Sequence, residues 1–268
     1  MTTARVNGID IYYEVHGRGP PLLLIMGLGA SASAWWKQLP DFSRCYRVVA
    51  FDNRGAGRSD KPNEPYTIAQ MADDAAGLLD ALGIPSAHVF GMSLGGMIAQ
   101  ELALRRPQQV RTLVLGATAC GGPQAIMAGP EAARYFMTVS SMTLQQAIAA
   151  GQSLLYSDSF LQANRGWLLA RALETAHLMP PGYALRRQFM AVLTLDTYDR
   201  LHQIQAPTLV ITGAHDKIVP AANSRLIAER IPGARLIELP GAGHGMLVEC
   251  AEAVNAAVLQ FLAEHSGA

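Results

Sequence analysis

The sequence predicts an α/β fold, a mostly parallel central sheet flanked by helices on both faces and carrying an inserted helical segment. Three observations carry this. Short apolar runs alternate with helical patterns through most of the chain, the order expected of a parallel sheet wrapped by its connecting helices. Between about Gly121 and Asp199 the strand pattern stops, and helical periodicity, glycine and proline take over. One apolar run, Ala87 to Phe90, rises into Gly91-Met92-Ser93-Leu94-Gly95, and a helical pattern follows at once. That is the strand–turn–helix setting in which G-x-S-x-G holds a serine clear of a sheet.

Taken in order, Arg5-Val6 and Ile9 to Val15 read as a hairpin closed by Asn7-Gly8, a pair suited to the positive φ angles of a tight turn. Pro21 to Met26 is a continuous apolar run, as a strand buried on both faces requires. It leads through Gly27-Leu28-Gly29 to an expected helix around Ala34–Leu39. Tyr46 to Phe51 is the next strand, closing on the loop Asp52 to Ser59. Thr67 reads as the cap of a helix reaching Leu82, with Gly83 as its stop. After the serine turn and its helix come a strand at Val110–Ala117 and, within the insertion, a helix capped by Thr143. Strand character returns at Thr208–Thr212, followed by a helix near Asn223–Ile231, a strand at Ala234–Leu239 and a last helix from about Glu249 to Glu264. The expected division is a core of residues 1–120 and 200–268 with a helical cap at 121–199.

Composition narrows the function. The chain has 268 residues, half of them hydrophobic and 16% charged, with no formal net charge. A balanced charge gives no reason to expect nucleic acid or an anionic membrane surface. No apolar run approaches the roughly 18–20 residues that span a bilayer. The N-terminal residues lack the apolar core of a signal peptide, so a cytoplasmic location is expected. Cys45, Cys120 and Cys250 lie far apart and read as free thiols. No spacing suggests a metal, and no phosphate-binding loop opens a helix, so no cofactor is expected. The partner is a small molecule, and the sequence leaves a homodimer open.

The chemistry gathers at the carboxyl ends of the strands, where open parallel sheets place their sites. A serine hydroxyl needs a base within hydrogen-bond reach, and the base needs a third group to orient it. Asp216 follows the next-to-last strand and His244 follows the last, giving the order Ser93, Asp216, His244. Ser93 is assigned as nucleophile, His244 as general base and then acid, and Asp216 as the group that orients the imidazole. The backbone N–H of Leu94 is one oxyanion donor. His215, His16, His88, His177, His202 and His265 are read as structural or exposed. Trp35 and Trp36 either line a pocket or pack in the core. Met127, Met137, Met142, Met179 and Met190 suggest a pliable apolar lining or, equally, ordinary helix core.

Several motifs together resemble the α/β-hydrolase superfamily, in its capped serine esterase and lactonase branch. They are Met26-Gly27-Leu28-Gly29, Asp52-Asn53-Arg54-Gly55-Ala56-Gly57-Arg58-Ser59, the turn Gly91–Gly96, Asp216 with Pro220, and Gly243-His244. The resemblance covers nearly the whole chain outside the insertion. It implies Leu28 as the second oxyanion donor and makes Asp52 and Arg54 turn and packing residues. Many relatives carry histidine where this chain has Met26; the donors are backbone groups, so the oxyanion site is expected to survive. Serine at 93, where the similar dehalogenases and epoxide hydrolases use aspartate, implies acyl transfer. Gly-Met-Ser-Leu-Gly-Gly-Met-Ile-Ala-Gln resembles carboxylesterases and 3-oxoadipate enol-lactonases. Five arginines balance five acids between Gly121 and Asp199, so a small, mainly apolar ester or lactone is the expected substrate. The alternatives are an enol-lactonase or carbon–carbon hydrolase acting on a carboxylate, or a slow-turnover receptor or perhydrolase. Gly245 in place of tryptophan after His244 ranks carbon–carbon cleavage lower.

Overall fold

The computed structural model describes residues 2–265. Eight strands form one sheet: β1 (Thr3–Val6), β2 (Ile9–His16), β3 (Pro21–Ile25), β4 (Arg47–Phe51), β5 (Ala87–Met92), β6 (Val110–Gly116), β7 (Thr208–Gly213) and β8 (Arg235–Leu239). Their spatial order is β1-β2-β4-β3-β5-β6-β7-β8. The opening hairpin is antiparallel, with Val6 facing Ile9, and Asn7 and Gly8 take φ of 47° and 83°. Positive φ at both turn positions is what a two-residue hairpin loop of matching twist demands. β2 joins β4 antiparallel, and β3 to β8 pair in parallel.

The chain runs from β3 to β4 on one side and then returns to place β5 on the other side of β3. This reversal opens a crevice beyond the carboxyl ends of β3 and β5. The two strands are apolar without alternation because both faces of the sheet are covered. Leu23 and Ile25 belong to the cluster under the helices α2 (Ile68–Ala81) and α3 (Leu94–Arg105). Leu22 and Leu24 belong to the opposite cluster, with Trp35, Phe42, Phe90 and Phe261. Trp35 is fully buried against Phe90, with ring centroids 5.0 Å apart, which assigns it to the core.

The expected helix over 34–39 is instead a 3-10 turn at Ala32–Trp35 and a short helix α1 (Leu39–Phe42). Pro40 lacks an N–H and suits the first turn of a new helix. Gln38, buried at the break, donates to Leu247 O at 2.8 Å and Asn255 Oδ1 at 3.1 Å. The last helix, α10 (Ala251–Glu264), lies where expected and is preceded by a short α9 (Met246–Glu249), the two separated by Cys250 at φ −124° and ψ 36°. Before it, α8 covers Ala222–Arg230.

Between β6 and β7 lie α4 (Pro130–Thr138), α5 (Leu144–Leu155), α6 (Asp158–Thr175) and α7 (Gly182–Leu193). Thr143 and Gln146 cap α5 reciprocally. Gln188 of α7, fully buried, accepts from Gly29 N–H at 2.8 Å and donates to Arg54 O at 2.7 Å, tying the helices to the loops after β3 and β4. Four of the five methionines are not helix core: Met127, Met137, Met179 and Met190 are each more than half exposed, while Met142 is half-buried.

His88, the second residue of β5 and five positions before Ser93, shows what burial does to a titratable core residue. It is 1% exposed, its Nδ1 pairs with Thr112 Oγ1 at 2.9 Å, and burial pushes its pKa down to about 4. An unfolded imidazole titrates near 6.5, so the unfolded chain binds a proton that the folded chain refuses between about pH 6.5 and 4. Folding stability is expected to fall as pH drops through that window, read as the urea midpoint. In His88→Gln the fall should be shallower; an unaltered slope would show that His88 does not contribute to it.

Candidate active site

Ser93 joins β5 to α3 with φ 56° and ψ −119°, a conformation that L-residues enter only under constraint. The constraint is visible on three sides. Ser93 N–H donates to Gly116 O at 2.8 Å, and its carbonyl accepts from Gly96 N–H at 2.9 Å and Thr118 Oγ1 at 2.7 Å. Glycine is required beside it: a Cβ at Gly91 would meet the Gly95 carbonyl, and one at Gly95 would meet the carbonyl oxygen of Ile25. Such strain costs about 1–3 kcal/mol and is held in place by the surrounding structure.

The loop after β3 presses against the serine. A Cβ at Gly27 would lie 3.1 Å from Ser93 Cβ and 3.6 Å from its Oγ. Asn53 Nδ2 holds Met26 O at 2.8 Å, and Gln188 holds Gly29 N–H. The Leu28 N–H between these anchors has no hydrogen-bond partner among the described residues, and neither has the Leu94 N–H in the first turn of α3. Two unpaired amides flanking one hydroxyl can take up a developing negative charge.

Asp216 and His244 meet beyond β7 and β8. His244 Nδ1 lies 2.7 Å from Asp216 Oδ2, and Asp216 Oδ1 accepts the N–H groups of Ile218 and Val219, each at 2.8 Å. Both side chains are more than nine-tenths buried. With Nδ1 donating to the carboxylate, the other ring nitrogen is left as an acceptor. His215 is exposed, and its N–H laces the two loops together through Ala242 O at 2.9 Å. Met246, two residues past His244, reaches the strand end that holds Ser93: a Cβ at Gly116 would lie 3.1 Å from Met246 Cε. No hydrogen bond joins Ser93 Oγ to the imidazole among the described residues, so the hydroxyl is unengaged.

Glu249 belongs to this architecture and has no local sequence signal. Its Oε2 accepts the Gly243 N–H at 2.9 Å, and the same carboxylate accepts the Ser157 N–H at 3.3 Å and the Ser157 hydroxyl. Ser157 also caps α6. On the other side of His244, Gly245 N–H donates to Leu155 O at 2.6 Å. The histidine is thus slung between two amides, one held by the α5–α6 junction and one by a carboxylate bound to that junction.

Asp52 and Arg54 have the packing roles expected of them. Asp52 accepts from Ala32 N–H at 2.6 Å, and from Arg58 through its N–H at 2.7 Å and Nε at 3.0 Å. Arg54 forms a two-point pair with Asp74, at 2.5 and 2.9 Å. Trp36 takes the other course from Trp35. It lines a cavity of about 260 Å³ between the loop after β3 and the helices α5 and α6, together with Gln152, Tyr156, Trp167 and Arg171. Neither Ser93 nor His244 lines that cavity, but Gly29 does, one residue past Leu28. No group of three His, Cys, Asp or Glu converges as a metal site among the described residues, and none of their helices is long and apolar enough to cross a membrane.

A sheet reversed at β3, a serine held at positive φ after β5 and a hydrogen-bonded Asp–His pair beyond β7 and β8 point to a class, and comparison with known proteins agrees. The profile of the alpha/beta hydrolase fold family matches residues 20–250, and the chain belongs to that family. A relative named carbamate hydrolase RutD, from Caulobacter sp. strain K31, is 38% identical, the match covering 98% of each chain. Among solved structures, the enol-lactonase from Burkholderia xenovorans LB400 superposes with a TM-score of 0.86 at 30% identity, covering 98% of this chain and all of that one. Est816, described as an N-acyl homoserine lactone degrading enzyme, matches with a TM-score of 0.82 at 31% identity, covering 97% of this chain and all of its own. These likenesses support hydrolase activity.

Proposed function

We propose that the protein is a serine hydrolase that cleaves a small carboxylic ester or lactone through an acyl-serine intermediate. The observation that supports the reading is the Asp216–His244 pair at 2.7 Å, beyond the ends of β7 and β8 on the sheet edge that also carries the serine of φ 56°. His244 takes the proton of the Ser93 hydroxyl as Oγ adds to the substrate carbonyl. The Leu28 and Leu94 amides receive the oxyanion, each of the order of 3–4 kcal/mol in the transition state. The carbonyl re-forms as the alkoxide leaves with the proton from His244. Water, deprotonated by the same imidazole, then adds to the acyl group and Ser93 departs. Asp216 keeps the imidazole in the reactive tautomer throughout and faces the charge it acquires. In this reading helices α4–α7 are the cap, held to the core by Gln188 and Glu249. The relatives' names extend the panel of acyl groups to carbamates, whose carbonyl would be attacked in the same way.

The test is trapping. A fluorophosphonate probe is expected to modify Ser93 alone, read by peptide mass spectrometry, and prior incubation with a good ester or lactone substrate should slow the labelling. Labelling elsewhere, or none under conditions where esters are turned over, would overturn the assignment.

A further inference from the structure

Five glutamines are buried among the described residues, and four of them tie parts of the fold together through at least one end of the side-chain amide. Gln38 binds Leu247 O, Gln100 binds Ala119 O, Gln109 binds Asp80, and Gln188 bridges Gly29 and Arg54. Gln152 is the exception. It is 9% exposed and lines the cavity beside the loop after β3, and its side-chain amide makes no hydrogen bond among the described residues. Neither polar atom of that amide is sealed from solvent, so water meets it in the free protein and a ligand group can take the place of that water.

The cavity around it suits a flat, uncharged group. Trp36 and Trp167 meet edge to face with centroids 6.0 Å apart, and the Tyr156 phenol, its pKa pushed up to about 12 by burial, stays protonated. Arg171 is the one charged residue among those lining it, and its charge is already engaged: Nη1 donates to Glu174 at 2.8 Å and Nη2 to Ser33 O at 3.2 Å. A carboxylate would therefore find little uncompensated charge. Position ties the cavity to the reaction. One wall, Gly29, follows the Leu28 amide, and another, the Tyr156 ring, packs on Gly245 next to His244.

We propose that this cavity is the specificity subsite and that Gln152 binds a neutral amide-like group, offering a carbonyl and an N–H together, at the non-reacting end of the substrate. The inference rests on the hydrolase reading for the orientation of the substrate and refines its apolar substrate by one polar end. The side-chain amide of Gln152 supplies the complementary donor and acceptor, and the tryptophans cover the faces of the group.

The experiment uses three methyl esters of equal length: methyl glutaramate (amide end), its isopropyl-ended counterpart, and monomethyl glutarate (carboxylate end). In the wild type, kcat/KM is expected to favour the amide-ended ester over the carboxylate-ended one. The ratio of amide-ended to isopropyl-ended kcat/KM should fall about tenfold in Gln152→Met, which keeps length and removes hydrogen bonding. Gln152→Glu, which keeps size and loses the N–H donor, should lower the same ratio and serves if the methionine variant does not fold. The ratio of dissociation constants, measured calorimetrically on Ser93→Ala with and without the Gln152 change, should move alike. An unchanged ratio in folded variants, or a wild-type preference for the carboxylate end, overturns the subsite. Absence of any ester turnover overturns the hydrolase reading instead, and the binding ratio still decides the subsite.

Discussion

Ser93→Ala is expected to lower kcat/KM for an activated ester by about 10⁴-fold or more while leaving the fold intact. The magnitude follows from what the hydroxyl is asked to do. Removing it leaves the Leu28 and Leu94 amides and the binding surface, which together retain only a fraction of the rate enhancement in enzymes of this design. The fold should not suffer, because the hydroxyl makes no hydrogen bond and the strain at φ 56° is a backbone property that alanine inherits. Ester turnover and the melting temperature of the purified variant are the two readings. Undiminished turnover would remove Ser93 from the mechanism.

The largest stability effect is expected at Asp74→Ala. Arg54 and Asp74 are each 1% exposed and share two hydrogen bonds, and Asp74 also accepts from Asn7 Nδ2 at 3.0 Å. Deleting the carboxylate leaves a guanidinium buried with only Glu64, at 3.7 Å, and the face of Tyr66 for company. Breaking such a pair from one side costs about 3–5 kcal/mol. Urea denaturation should show the midpoint shift, and replacing both members by apolar residues of similar size should recover part of it. A loss below 1 kcal/mol would mean that water reaches Arg54 more readily than its burial implies.

Local chemistry is written where it acts. Asn7-Gly8 announces its turn because two successive positive φ angles admit few residues, and Thr143 with Gln146 announces its helix start because cap and partner are three positions apart. Gly91-Met92-Ser93-Leu94-Gly95 is legible for the same reason: the clashes that require glycine arise from neighbours in the turn and from the adjacent strand β3. Asp216 and His244 are legible by their place after apolar runs, since strand ends in a parallel sheet fall on one edge.

What tertiary structure decided is whatever joins distant parts of the chain. Glu249 meets Ser157 across 92 positions and Gln188 meets Gly29 across 159, and no period in the sequence marks either contact. Trp35 and Trp36 are adjacent and chemically identical, yet one fills the core and the other a cavity wall, because successive residues of a helical turn point about 100–120° apart and only packing decides which direction meets the sheet. Gln152 looks like any polar residue on an amphipathic helix until it is found lining one cavity with the loop after β3. Backbone geometry and strand ends are fixed by near neighbours and so can be read along the chain; which side chains end up buried together depends on how whole layers pack, and only folding supplies that.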